Sequence, residues 1–330
     1  MHPDFIQALS ANLLSPTILF FVLGVGAAVV KSDLKLPEAL YTSLTVYLLT
    51  AIGLKGGVAI HEAGITRVIA PSLAAMLLGA VIPLWTYPLL RFVGRLSAVD
   101  AAAIAAHYGS VSAVTFITAT NYLKGLNEPY EDYITAFLAV MESPAIVVGV
   151  LLGKLGQPSA GRFSKDVLKN LVHEAVFGRS VVLLVGALLI GMACGKPGMQ
   201  KVEAFFVTPF QGVLALFLLE MGLVTGQRLS DLRQVGPFLA VFGLVMPLIH
   251  GFLGVALGKC AGLSLGGTTL MGVLAASASY IAAPAAMRLS LPEANPALYL
   301  TSSLAITFPF NITVGIPLYY AMARFLLGSA

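Results

Sequence analysis

Ten stretches of mostly apolar residues, about as long as a bilayer-crossing helix, occupy most of the chain. They lie near 13–30, 38–56, 69–93, 99–123, 130–154, 175–195, 206–226, 235–258, 267–288 and 297–323. A helix needs about 20 apolar residues to cross the hydrocarbon. A soluble core is the competing explanation, and the charge content excludes it. Soluble domains carry about 25% charged residues. This chain carries 10%, against 58% hydrophobic. The expected class is an all-α, multi-pass membrane protein.

Seven of the 19 Lys and Arg residues lie on one side of these spans: Lys55, Arg67, Lys124, Lys196, Lys201, Lys259 and Arg324. The remaining twelve lie on the side of GQPSAGRFSKDVLKN, the longest polar stretch. The positive-inside rule places that stretch in the cytoplasm and both termini outside. Residues 156–170 then read as a cytoplasmic linker between halves 1–155 and 171–330. The start, MHPDFIQALS, has no basic n-region, so no cleaved signal peptide is expected. A net charge of +4 needs no nucleic acid to explain it. Cys194 and Cys260 offer neither a metal spacing nor a disulfide framework.

The halves echo each other. Gly53 and Gly57 in IGLKGG match Gly222 and Gly226 in MGLVTG, an offset of 169. Pro71 matches Pro237, Ser110/Ser112 match Ser277/Ser279, and Pro129 matches Pro296, at offsets of 166, 167 and 167. Five spans per half is an odd number, so the halves enter the membrane in opposite senses. That is the inverted-topology repeat of many secondary transporters.

The matched serines interrupt apolar spans. Gly109, Ser110 and Ser112 fall in the fourth span. Ser277, Ser279 and Pro284 fall in the ninth, and Pro284 disfavours helix at Ala283. Interrupted backbone at membrane depth is tolerated only where protein covers it or it lines a cavity. Spans 4 and 9 are therefore expected to be broken and to cross near the midplane. Helix N-termini there would hold an anion with free N–H groups and positive dipole ends. Small-residue helix packing is the alternative reading of the same serines.

The segments SPTILFFVLGVGAAV, LTAIGLKGG, VDAAAIAAHYGSVSAVT, ASASYIAAPAAMRLSLPEANP and GIPLY resemble the sodium-dependent bicarbonate transporter family. The resemblance runs through nearly the whole chain. It implies the inverted-repeat fold shared with bile-acid symporters and sodium–proton antiporters, with five plus five spans, and a homotrimer. It implies inward Na⁺ coupled to inward bicarbonate in a bacterial inner membrane, with substrate at the crossing of spans 4 and 9. It also implies a PII-like regulatory protein on the cytoplasmic side. Gly109, Ser110, Val111 and Ser112 match the family's span-4 break, and Ala278, Ser279 and Tyr280 the span-9 break. Glu142 matches an acidic residue of span 5. Cyanobacterial members carry Asp where this chain has Tyr280, and smaller residues are expected where it has Phe308 and Phe310.

Several residues are candidates on their own chemistry. An ionisable side chain inside a membrane usually faces a cavity or a partner. Glu142, with Ser112, Thr115 and Asn311, offers oxygens to Na⁺, a hard cation. A protonated, hydrogen-bonded Glu142 is the competing reading. Glu220 is the second intramembrane acid, expected either to pair with Lys55 or His250 or to take part in ion coupling. His107, beside the span-4 break, is a candidate proton-responsive gate or a neutral packing residue. Asn311 is equally a candidate for interhelical glue. Asp100 has no specific expected role.

No His–acid pair accompanies the serines and no phosphate loop is present, so neither an enzyme nor an ATP-driven pump is expected. No cofactor is expected beyond Na⁺ as coupling ion, and the expected partners are a small anion and membrane lipid. The leading expectation is Na⁺-coupled symport of bicarbonate or a small carboxylate. The alternatives are a cation–proton antiporter of the same fold and a non-transporting receptor.

Overall fold

Serine caps and glycine contacts set the helix boundaries of this protein. The computed structural model describes residues 13–157, 173, 177 and 179–328. The helices of the first part are α1 (Pro16–Val29), α2 (Glu38–Ala63), α3 (Ile65–Pro88), α4 (Ala98–Gly109), α5 (Ala113–Gly125) and α6 (Ala136–Leu155). The second part contains α7 (Arg179–Phe206), α8 (Phe210–Arg228), α9 (Leu232–Cys260), α10 (Leu265–Ala276) and α11 (Ala282–Ser290). The last span, α12 (Pro296–Leu327), contains π-helical turns at Thr301–Thr307 and Asn311–Gly315. Among the described residues there is no strand. Apart from its first two residues, the expected linker 156–170 lies outside the described residues, as does the start of the sixth span.

Eight helical segments among the described residues are long and apolar enough to cross a membrane, and α1 and α10 are shorter apolar helices. Large side chains such as Leu23, Leu77, Ile190, Val241 and Phe252 stand exposed on α1, α3, α7 and α9. Apolar surface on that scale belongs against lipid. The chain is a multi-pass, all-α membrane protein.

Two helix pairs cross at small residues. On α2, a Cβ added to Gly57 would collide with the Leu188 carbonyl and Gly191 of α7, while Gly53 lies against Ala187. On α8, Gly222 lies in the same way against Phe21 and Gly24 of α1, and Gly226 against Ala28. In both pairs the contacts rise together in residue number, so the paired helices run parallel. This is small-xxx-small packing, which brings backbones close in lipid. It also corrects one boundary. The second span was expected to end at residue 56, at Lys55-Gly56-Gly57. Those glycines admit a neighbouring helix, and α2 continues to Ala63, stopping before Gly64 with φ of 79°. Two other long helices bend at glycine. Gly195 (φ 56°) ends the straight part of α7 and Gly236 (φ 73°) begins that of α9, close to the expected limits 195 and 235.

The remaining helices enclose α4, α5, α10 and α11. Ser97 caps α4, its Oγ accepting the Asp100 N–H at 3.0 Å. Ser264 caps α10, its Oγ accepting the Gly267 N–H at 3.1 Å. Each cap is tied across the molecule. The Asp100 carboxylate accepts the Asn295 N–H at 2.8 Å, fixing the start of α12. The Glu131 carboxylate, just before α6, accepts the N–H and hydroxyl of Ser264 at 2.7 and 2.9 Å. Asp100, without an expected role, thus accepts the hydroxyl of the Ser97 cap at 2.6 Å and clasps the start of α12.

Candidate functional site: two interrupted helices meeting at a small cavity

Helix stops at Gly109 and resumes at Ala113, and it stops again at Ala276 and resumes at Ala282. Ser110, Ser112 and Ser277 have extended backbone, with ψ of 173°, 110° and 160°. The Ser112 N–H donates to the Ser277 hydroxyl at 2.9 Å, and the Ser279 N–H donates to the His107 carbonyl at 2.8 Å. The two breaks therefore satisfy part of each other's freed backbone. Protein covers them, since 94% of the residues in the most apolar stretch of 98–125 are buried. That meets the condition for irregular backbone at membrane depth.

A cavity of about 30 Å³ lies at this meeting point, lined by Val111, Ser112, Ala113, Ser279, Tyr280, Ile281, Ala282 and Glu142, with Leu49, Leu138 and Leu184 as apolar wall. It has room for one or two water-sized groups. The first residues of α5 and α11 both line it, so two helix N-termini converge there. Glu142 is 7% exposed, on a continuous helix that carries Pro144 two residues later. The site thus combines positive dipole ends with one carboxylate and two serine hydroxyls. Such a set offers amide and hydroxyl donors to an anion and oxygens to a hard cation.

Thr115 reaches the cavity through Ser112, donating its N–H and its hydroxyl to Ser112 Oγ at 3.2 and 2.9 Å. Tyr280 forms a wall shared with a second cavity of about 180 Å³, which also contacts Glu220, Arg228 and Tyr41. Its buried hydroxyl faces Ser112 without closing a hydrogen bond. Its ring meets Phe308 edge-on at 5.1 Å.

Other expected residues lie outside the small cavity's lining. Gly109 packs against Pro83, whose Cγ would stand 2.5 Å from an added Cβ. Ser110 and Ala278 are buried in the breaks. Asn311 donates its amide to the Ala276 carbonyl at 2.9 Å and accepts the Tyr319 hydroxyl at 2.8 Å. It braces the last carbonyl of α10, which fits the interhelical alternative. His107 donates from Nδ1 to the Ala103 carbonyl at 2.6 Å and stacks on Tyr299 at 4.5 Å, in a fully buried setting. The expected partners of Glu220 are corrected. Lys55 pairs with Asp132 at 2.8 Å, and His250 accepts the Trp85 indole N–H at 3.0 Å. Glu220 instead faces the second cavity, and its Oε2 has no hydrogen-bond partner among the described residues. Ser277, marked in the sequence only as part of the repeated motif, is the serine that joins the two breaks. The offset of 167 from Ser110 was its available signal.

No curated protein matches the chain. The family model of the Na⁺-dependent bicarbonate transporter superfamily matches residues 16–324, nearly the whole sequence. With its apolar helices and their interrupted crossing, the chain belongs to that superfamily.

Proposed function

We propose that this protein is a secondary active transporter coupling Na⁺ entry to entry of bicarbonate or a related small anion. It would have ten spans in two inverted five-helix repeats, 1–155 and 171–330, joined by a cytoplasmic linker. The observation that carries this reading is the convergence of two helix N-termini and the Glu142 carboxylate on one protein-covered cavity. Burying a carboxylate at the bilayer centre costs roughly 2.5–3.5 kcal/mol on insertion scales. A Na⁺ bound by Glu142 and Ser112, with Thr115 orienting the serine, offsets that cost. The anion then meets the amides of the α5 and α11 first turns, with the Na⁺ beside it. Each ion lowers the cost of bringing in the other, which is the physical basis of coupling. We extend the reading to a homotrimer in a bacterial inner membrane, with a PII-like protein as cytoplasmic regulator.

The test is uptake of labelled bicarbonate into vesicles containing purified protein, under an inward Na⁺ gradient and under an equal K⁺ gradient. Uptake should require Na⁺, and Ser112→Leu, which fills the cavity, should abolish it. Equal uptake in the two gradients would overturn the coupling. Glu142 also favours a second reading, a cation–proton antiporter. Na⁺-driven proton efflux needing no anion, read by a pH-sensitive dye inside the vesicles, would select it.

A further inference from the structure

The largest of the described cavities, about 280 Å³, lies away from the helix crossing. It sits on the face that carries Lys55 and Lys124, opposite the expected linker. Its lining includes Lys55, Lys124 and Tyr130 at a polar end, and Phe116, Phe206 and Phe210 as apolar walls. It opens to water, since the Lys55 and Asp132 side chains are 46% and 49% exposed. It also lies one turn of α5 from the crossing, whose cavity touches Ser112 and Ala113. The charges there do not cancel. Asp132 neutralises Lys55 at 2.8 Å, and the Tyr130 hydroxyl accepts from the same ammonium at 3.5 Å. Lys124 has no carboxylate within ion-pair distance among the described residues. The vestibule therefore carries one unmatched positive charge beside a wall of three phenyl rings.

We infer that this vestibule binds an organic monoanion, a carboxylate on an apolar body, with Lys124 holding the charge and the phenyl rings holding the body. The space is about 280 Å³, roughly nine times the 30 Å³ of the cavity at the crossing. Its apolar walls offer little to bicarbonate, whose surface is nearly all polar. An aromatic or branched carboxylate uses both ends. This inference does not depend on Na⁺ coupling, so either reading can fail while the other stands.

The test is calorimetric titration of the purified full chain in K⁺ buffer without Na⁺. Three probes are compared: benzoate, the neutral isostere benzamide, and bicarbonate. Benzoate should bind more tightly than either. Lys124→Gln should weaken benzoate by about tenfold or more, the loss of one charge-assisted hydrogen bond, while Lys124→Arg, retaining the charge, should stay close to the parent. Lys124 is exposed at the end of α5, so both variants are compatible with folding, and unchanged melting temperatures would verify it. Benzamide binding equal to benzoate, benzoate affinity untouched by Lys124→Gln, or no benzoate binding at millimolar concentration would each overturn the inference.

Discussion

Ser110 and Ser277 occupy matched places in the two breaks, yet of these two hydroxyls only that of Ser277 has partners among the described residues. Ser277 Oγ accepts the Ser112 N–H and donates to the Leu274 carbonyl at 2.8 Å. The Ser110 hydroxyl is buried with no partner among the described residues. A buried donor left without an acceptor costs about 1–3 kcal/mol. Ser277→Ala should therefore lower stability by that amount, and Ser110→Ala should leave it unchanged or slightly raised. Thermal unfolding of the purified variants checks this, and equal losses in both would contradict it. At this scale the sequence spoke through rarity. A carboxylate or a Ser-x-Ser pair inside an apolar run stands out, and the structure brings Glu142, Ser112, Ser279 and Tyr280 around one cavity. Partner choice was not legible. Glu220, Asn311 and His107 each have neighbours fixed by helix rotation and register, which hydrophobic periodicity does not encode.

The interrupted elements are built alike. Each begins at a serine cap, Ser97 or Ser264, runs twelve residues, and breaks at a serine. The caps are separated by 167 residues, the spacing of the broken segments themselves. That spacing was available in the sequence and adds one more match to the repeat. The clasps from Asp100 and Glu131 were not available, because they join residues 195 and 133 apart in the chain. Helix crossings were half legible. The Gly53/Gly57 and Gly222/Gly226 match was visible as a repeat, but its partner helices were not. The crossing makes a firm demand at Gly57, where any side chain meets the α7 backbone. Gly57→Leu should destabilise the protein by about 1–3 kcal/mol or more, the cost of overpacking. Gly26→Ala on α1, where an added Cβ meets nothing within 4 Å, should be neutral. Folded yield and melting temperature in detergent separate the two, and a Gly57→Leu protein that melts with the parent would remove the crossing from the argument.

Across the whole molecule, the two small-residue crossings carry topological information. Helices α2 and α7 run parallel, and so do α1 and α8. In order of membrane passage these are the second span with the sixth, and the first with the seventh. A simple duplication without inversion makes the first span parallel to the sixth and antiparallel to the seventh. The observed senses are those an inverted repeat requires, which supports the proposed architecture independently of the serine motifs. The same topology fixes where the two cysteines emerge. Cys194 ends the sixth span and Cys260 ends the eighth, and both are exposed. Two passages separate them, α8 and α9, so they share one face. With the linker in the cytoplasm, that face is outside, the face of Lys55 and Lys124. A membrane-impermeant maleimide should therefore label both Cys194→Ser and Cys260→Ser, each with one remaining thiol, in intact cells. Labelling of both only after permeabilisation would reverse the orientation and keep the topology. Labelling of one from outside and the other only from inside would break the ten-span arrangement, and with it the proposed inverted repeat that brings oppositely entering helices together at the small cavity.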